Sequence, residues 1–206
     1  MATVSHDLNG TATDHVAESD PGAPPDAAAR RLVLAGGVQG LGVRPAIFRL
    51  ARQMALNGTV RNTSRGVEIE LEGSIEDVRR FSQLLPKSLP PAAALVKLKS
   101  ERIAPSGRKG FTIVKEPPAG PLAARVPEDR GLCPECSREI ASHADRRHRY
   151  PFTSCTQCGP RYTVIRAMPF ERADTTMAEF LFCPDCRHEY ERPGDRRFHA
   201  QTIACG

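Results

Sequence analysis

The apolar positions change period several times between residues 30 and 115, and each change marks an element. Leu32 and Leu34 open a short strand from Arg31 that runs into Ala35-Gly36-Gly37-Val38-Gln39-Gly40-Leu41-Gly42. Four glycines within residues 36–42 predict a loop. Beyond Pro45, a residue suited to a first helical turn, Ala46, Ile47, Leu50, Ala51 and Met54 recur at helical spacing and predict one buried face. Asn57-Gly58 is the expected stop. Residues 59–63 and 67–72 predict a hairpin around Ser64-Arg65-Gly66, because Val67, Ile69 and Leu71 alternate with Glu68, Glu70 and Glu72. Ser74 with Asp77 forms a capping-box pattern, and Ile75, Val78, Phe81 and Leu85 predict a second helix up to Pro86. Strands fit 94–102 and 110–115. The order is βαββαβ with one added strand, which predicts an α+β domain of ferredoxin-like type: an antiparallel sheet with two helices on one face.

The flanks behave differently. Residues 1–29 hold almost no large apolar side chain and are expected to be a disordered tail. Residues 116–130, with Pro117, Pro118, Pro121 and Pro127, predict a linker. Residues 131–206 carry the cysteines: Cys133-Pro-Glu-Cys136, Cys155-Thr-Gln-Cys158, Cys183-Pro-Asp-Cys186 and Cys205. Eighteen residues separate Cys136 from Cys155 and eighteen separate Cys186 from Cys205. This is an internal repeat at an offset of fifty, in which Pro134 matches Pro184, Glu139 matches Glu189, and Asp145-Arg146-Arg147 matches Asp195-Arg196-Arg197.

A Cys-x2-Cys knuckle brings two thiolates to one tetrahedral ion, and a second knuckle after such a spacer completes the shell. Cys133, Cys136, Cys155 and Cys158 predict a structural four-cysteine Zn2+ site. Cys183, Cys186 and Cys205 predict an incomplete second site, because the position matching Cys158 falls at 208, beyond Gly206. His199 lies close enough in sequence to be a fourth ligand, although a solvated histidine is the simpler reading. Seven cysteines, an odd number, and the absence of a secretory signal weigh against a disulfide framework. Iron in a tetrathiolate site would use similar ligands.

A net charge of +5 and a pI near 9.0 permit a nucleic-acid partner. The acids interleave with the bases, however, and there is no Trp, so a base-stacking surface is not favoured. No apolar run is long enough for a membrane span, and the expected location is the cytoplasm.

The glycine-rich loop leads from a strand into a helix, where successive N–H groups and the positive helix end suit a phosphate. Arg44 stands at that entrance with a guanidinium able to bind two phosphoryl oxygens. Read without any resemblance, Arg44 could equally be a surface charge and Asn62 a turn residue. Val38-Gln39-Gly40-Leu41-Gly42-Val43-Arg44, followed after one helix by Val60-Arg61-Asn62-Thr63-Ser64-Arg65-Gly66, resembles the signature of the acylphosphatases over about residues 30–115. Val43 stands where an aromatic residue usually precedes the arginine. The resemblance implies that Gln39, Gly40, Leu41, Gly42, Val43 and Arg44 bind the phosphate, and that Arg44 and Asn62 are the catalytic pair, Asn62 positioning the attacking water.

With the cysteine modules, and with Asp145-Arg146-Arg147-His148-Arg149-Tyr150-Pro151-Phe152, Cys158-Gly159-Pro160-Arg161-Tyr162 and Asp195-Arg196-Arg197-Phe198-His199-Ala200-Gln201, the chain is similar to the N-terminal part of the HypF family. These are carbamoyltransferases of nickel–iron hydrogenase maturation. That similarity implies carbamoyl phosphate as substrate, structural zinc, and carbamate passed on for ATP-dependent transfer to the C-terminal cysteine of the maturation protein HypE. Nothing in the chain resembles the family's ATP-using and transfer domains, so neither ATP binding nor carbamoyl transfer is expected of it alone. The alternatives are a zinc-ribbon module that binds nucleic acid or protein and does no chemistry, and an anion-binding domain without catalysis.

Overall fold

The computed structural model describes residues 27–115, 128–159 and 161–205. The expected tail at 1–26 and linker at 116–127 lie outside the described residues. Ala27, Ala28 and Ala29, placed in the tail by composition, belong instead to β1 (Ala27–Gly37), where they pair with Ser74, Gly73 and Glu72. Short side chains give no periodic signal, and here the partner strand fixes the conformation.

The first domain continues with α1 (Val43–Gln53), β2 (Asn57–Thr63), β3 (Gly66–Ser74), α2 (Ile75–Ser88), β4 (Ala94–Arg102) and β5 (Phe111–Val114). The sheet order is β4-β1-β3-β2-β5. Four strands are antiparallel, as expected, but β5 lies parallel to β2 with Gly58 opposite Phe111. Leu32, Leu34, Val60, Val67, Ile69 and Leu71 from the strands meet Ile47, Val78, Phe81 and Leu85 from the helices in one fully buried core. The acidic positions of β3 face the other way, where Glu68 and Glu70 take Arg61 and Arg31.

Both helix ends differ from the pattern reading. Asn57-Gly58 does not stop α1; Ala55, at φ 54, turns the chain and Leu56 N–H bonds back to Ala51 O at 3.0 Å, so Asn57 already opens β2. Pro86 does not stop α2, which runs on to Ser88. The α2 start is as expected: Asp77 N–H donates to Ser74 Oγ at 3.0 Å.

The cysteine region contains two short helices, α3 (Pro134–Ala141) and α4 (Pro184–Glu191), each capped by the sulfur of the preceding cysteine. The sequence repeat persists in the backbone: Arg149 and His199 both take positive φ, and their N–H groups close equivalent turns on Ile140 O and Tyr190 O. The two modules exchange arginines. Arg146 donates to Cys186 Sγ at 3.0 Å and Arg147 to Glu189 at 2.5 Å, while Arg196 donates to Cys136 Sγ at 3.1 Å and Arg197 pairs with Glu139. Arg147 Nε and Arg197 Nε reach the matching carbonyls of Ala204 and Ser154 at 3.0 and 3.1 Å. Burial works against the charge on Glu139, yet Arg197 and Arg196 hold its carboxyl below the usual range. The same balance, set by Arg147 and Arg146, holds for Glu189.

The modules rest on the first domain. Arg49 donates to Pro193 O and Asp195 O at 2.8 and 3.1 Å, and the Phe48 and Phe198 rings lie 5.3 Å apart.

Removing one partner of a buried, hydrogen-bonded ion pair strands the other charge, so Arg197→Ala should cost the cysteine region roughly 3 kcal/mol. The three tyrosines, Tyr150, Tyr162 and Tyr190, all lie in that region, so urea unfolding followed by tyrosine fluorescence reports on it selectively. A loss below about 1 kcal/mol, the range of exposed pairs, would mean that the exchanged arginines do not brace the modules.

Candidate active site and metal centres

The loop between β1 and α1 is shaped by Gly40 and Gly42, both at positive φ (74 and 72). Gly42 is also the N-cap of α1, and a Cβ there would lie 2.7 Å from Thr156 of the first cysteine module. The first N–H groups of a helix have no intrahelical acceptor, so the start of α1 presents donors at this junction. Arg44, in the first turn, is 5% exposed, and Asn62, on β2, is 4% exposed. They meet the chain again 127 residues after Arg44. Arg44 pairs with Glu171 Oε1, and Asn62 Nδ2 donates to the same oxygen at 3.2 Å and to Phe170 O at 3.1 Å. Arg44 is therefore a buried charge with a partly buried partner.

The remaining loop positions divide. Gly40, Gly42 and Val43 join Arg44 and Asn62 around a cavity of about 20 Å³, room for little more than one water. Gln39 is a strut: its Nε2 donates to Thr63 O and Gly66 O at 2.9 and 3.0 Å, and its Oε1 accepts from Phe170 N–H at 2.8 Å. Leu41 is buried, and a Cβ on Gly159 would lie 2.8 Å from its side chain. The far wall of the cavity comes from the cysteine region, with Thr156, Gly159, Phe170, His199 and Gln201.

His199 is half-buried and stands apart from the second cysteine cluster. Its ring lies between Tyr190 and Phe198, centroids 4.9 and 4.6 Å away, and its Nδ1 is buried. Burial, helped by the charges of Arg44 and Lys115, pushes its pKa down to about 3. His199, expected as a ligand or a solvated ring, and Gln201, given no role, lie inside a motif the sequence singles out. Phe170 and Glu171 lay in no motif, and only tertiary contact reveals them.

The cysteines form two clusters, Cys133, Cys136, Cys155 and Cys158 in one and Cys183, Cys186 and Cys205 in the other. In the first the sulfurs stand 3.6 Å (133–155), 3.7 Å (136–158) and 3.8 Å (155–158) apart; in the second Cys183 and Cys205 are 3.7 Å apart. A tetrahedral ion about 2.3 Å from each sulfur sets edges of about 3.8 Å, so the donor sets fit a metal. The thiols do not ionise alike: the sulfurs of Cys155 and Cys158, with burial, push Cys136 up, and burial pushes Cys186 up to about 11, whereas the Cys136 sulfur holds Cys158 down and the Cys186 N–H holds Cys183 down. A cation among them would favour the thiolate at every position, because that is the ligand form.

A histidine with a folded pKa near 3 and an ordinary value near 6.5 takes its proton first in the unfolded chain. Its contribution is present above pH 6.5 and is lost as the pH falls towards 3. His199→Asn, which tolerates the left-handed backbone, should therefore lose less stability than the unchanged chain between pH 6.5 and 4, read as the difference between their urea midpoints. Parallel curves would place the histidine in water.

The Acylphosphatase family matches residues 30–113, and the HypF finger family matches residues 132–165 and 182–206. The chain is 43% identical over 176 residues to "Carbamoyltransferase HypF" of Rhodobacter capsulatus, covering 85% of this chain and 23% of that relative. It is 36% identical over 86 residues to an acylphosphatase of Thermotoga petrophila, covering 41% of this chain and 94% of that protein. Among solved structures, full-length HypF in its phosphate- and nucleotide-bound form superposes with a TM-score of 0.82 at 39% identity, over 89% of this chain and 24% of the other. The chain thus spans about a quarter of the length of the HypF relatives it matches. A fold of the acylphosphatase type, joined in one chain to paired cysteine modules of the finger type, meets all these likenesses at once: the chain belongs to the HypF family and carries its acylphosphatase domain and its HypF finger.

Proposed function

We propose that this chain hydrolyses acyl phosphates, with carbamoyl phosphate as substrate, and supplies carbamate to the rest of a HypF-type carbamoyltransferase. The observation that carries the reading is convergence: Arg44 and Asn62 direct their donors at a single anionic oxygen, Glu171 Oε1. Donors that converge on a carboxylate oxygen mark a junction suited to anions, of which a phosphoryl group is one. Arg44 and the N–H groups of Gly40, Gly42 and Val43 bind the phosphoryl oxygens and stabilise charge as the anhydride breaks. Asn62 holds the attacking water in line. The leaving carbamate requires little protonation. In the family's reaction the carbamate is activated with ATP and transferred to the C-terminal cysteine of HypE, by domains outside this chain.

We also propose that the metal is zinc, bound by Cys133, Cys136, Cys155 and Cys158, with Cys183, Cys186 and Cys205 in a second site. Zinc in a four-thiolate shell is structural, because no coordination position is left open for substrate. Its role at the active site is indirect: the folded modules carry Phe170, Glu171 and His199 to the loop.

Arg44→Ala should lower the rate of phosphate release from carbamoyl phosphate by about 10²–10³-fold, or about 3–4 kcal/mol. Because Arg44 is buried against Glu171, the variant should also be less stable by roughly 3 kcal/mol, and turnover is compared below its unfolding transition. Asn62→Ala should reduce kcat more than it weakens inorganic phosphate. Turnover unchanged in both variants would leave the domain a scaffold.

Metal removal gives an independent test. Elemental analysis should find zinc, and a chelator should abolish the tyrosine signal of folding in residues 132–205, since such binding is worth on the order of 10 kcal/mol. A chelator-treated chain with unchanged spectra would show the clusters to be metal-independent.

A further inference from the structure

The roles given to Arg44 and Asn62 leave the proton of the attacking water without a destination. Beside them two buried acceptor atoms have no hydrogen-bond partner, Asn62 Oδ1 and Glu171 Oε2. Each belongs to a group already fixed through its other atom. Asn62 Nδ2 is spent on Phe170 O and Glu171 Oε1, and Glu171 Oε1 takes Arg44. Asn62 lines a cavity with room for about one water, and Glu171 directly follows Phe170, which stands on the wall of that cavity, so the amide and the carboxylate each present one open acceptor close to it. Unpaired buried acceptors are costly and mark a place where a donor belongs. One water carries two O–H donors, enough for both, and keeps a lone pair for phosphorus.

Resting on the acyl phosphate reading above, we infer that Glu171, contributed by the finger region, is a catalytic base of the acylphosphatase site. The water donates one O–H to Asn62 Oδ1 and the other to Glu171 Oε2. Its oxygen forms the new bond to phosphorus as the bond from phosphorus to the acyl oxygen breaks and its electron pair leaves with the acyl group. The proton passes to Glu171 Oε2. The products are inorganic phosphate and a carboxylate or carbamate anion, and the proton is then released to solvent. Arg44 can serve both partners, because a guanidinium has five N–H donors and its contact with Glu171 is made through Nη1. Arg44 thus orients the base while binding the phosphoryl group, and neither structural unit holds a complete site by itself.

The experiment uses the metal-loaded full chain with carbamoyl phosphate as substrate and inorganic phosphate as a binding probe in calorimetry. Glu171→Ala and Glu171→Gln should each lower kcat by about 10²-fold or more, the usual contribution of a positioned base. Phosphate should bind both variants at least as tightly as the unchanged chain, and formate should restore part of the turnover of Glu171→Ala. Unchanged or faster turnover with tighter phosphate binding would make the carboxylate a resident competitor for the anion site and overturn the assignment. So would a loss of turnover accompanied by weaker phosphate binding and no response to formate, which is the mark of a purely structural residue. Arg44→Ala in the same assay separates the two levels. If it is inactive while Glu171→Ala is not, only the base is wrong; if it turns over like the unchanged chain, the acyl phosphate reading fails and this inference with it.

Discussion

The structure depends on one buried ion pair, Arg44 with Glu171, made between a helix of the first domain and a loop 127 residues later. Burying either charge alone would be expensive, and together they are tolerable only because Asn62 and the glycine-rich loop complete their surroundings. The pair decides how the finger region sits on the sheet domain. Gln39 clamps Phe170, Gly42 lacks a side chain where Thr156 approaches, and Phe48 meets Phe198. Each contact is unremarkable locally, and their common effect is to seat Glu171 at the start of α1.

Much of the fold was legible in the residues because its signals were local. The alternation Val67, Ile69, Leu71 against glutamates, the Ser74–Asp77 cap and the helical spacing of Ile47, Leu50 and Ala51 each have a mechanism within a few residues, and each lies in the element expected. What was not legible depended on distance. Ala27–Ala29 form strand because β3 lies alongside. The β5 strand runs parallel because its partner is β2. The α1 stop was assigned to Asn57-Gly58, a pair with strong turn chemistry, yet Ala55 supplies the turn and the glycine serves β2, where a Cβ would lie 1.9 Å from Glu70 O.

The site follows the same division. The paired cysteines sit in a pattern whose spacing carries chemistry, and Arg44 and Asn62 sit in a pattern that resembles the acylphosphatase signature, so all could be singled out along the chain. Glu171 has no such frame: Pro-Phe-Glu-Arg offers no spacing, and its meaning comes from what it faces. His199 was visible but misread. Proximity in sequence to Cys205 suggested a ligand or a solvated ring, whereas the repeat register places it at the turn matched by Arg149. An exposed arginine position in one module has thereby become a half-buried aromatic one on the cavity wall in the other.

The exchange of arginines between the modules bears on where they came from. Each module gives its twin two arginines and receives two, and each offers the acidic side chain and the cysteine sulfur that the other's arginines require. Such reciprocity is the condition for an isologous pair, in which one surface recognises a copy of itself. A single ancestral module bearing Asp-Arg-Arg and Glu at this spacing would already hold everything needed to associate as a homodimer. Duplication and fusion would then have freed one copy to drift, which fits a repeat that keeps its braces intact while only one half lends a histidine, His199, to the cavity beside Arg44.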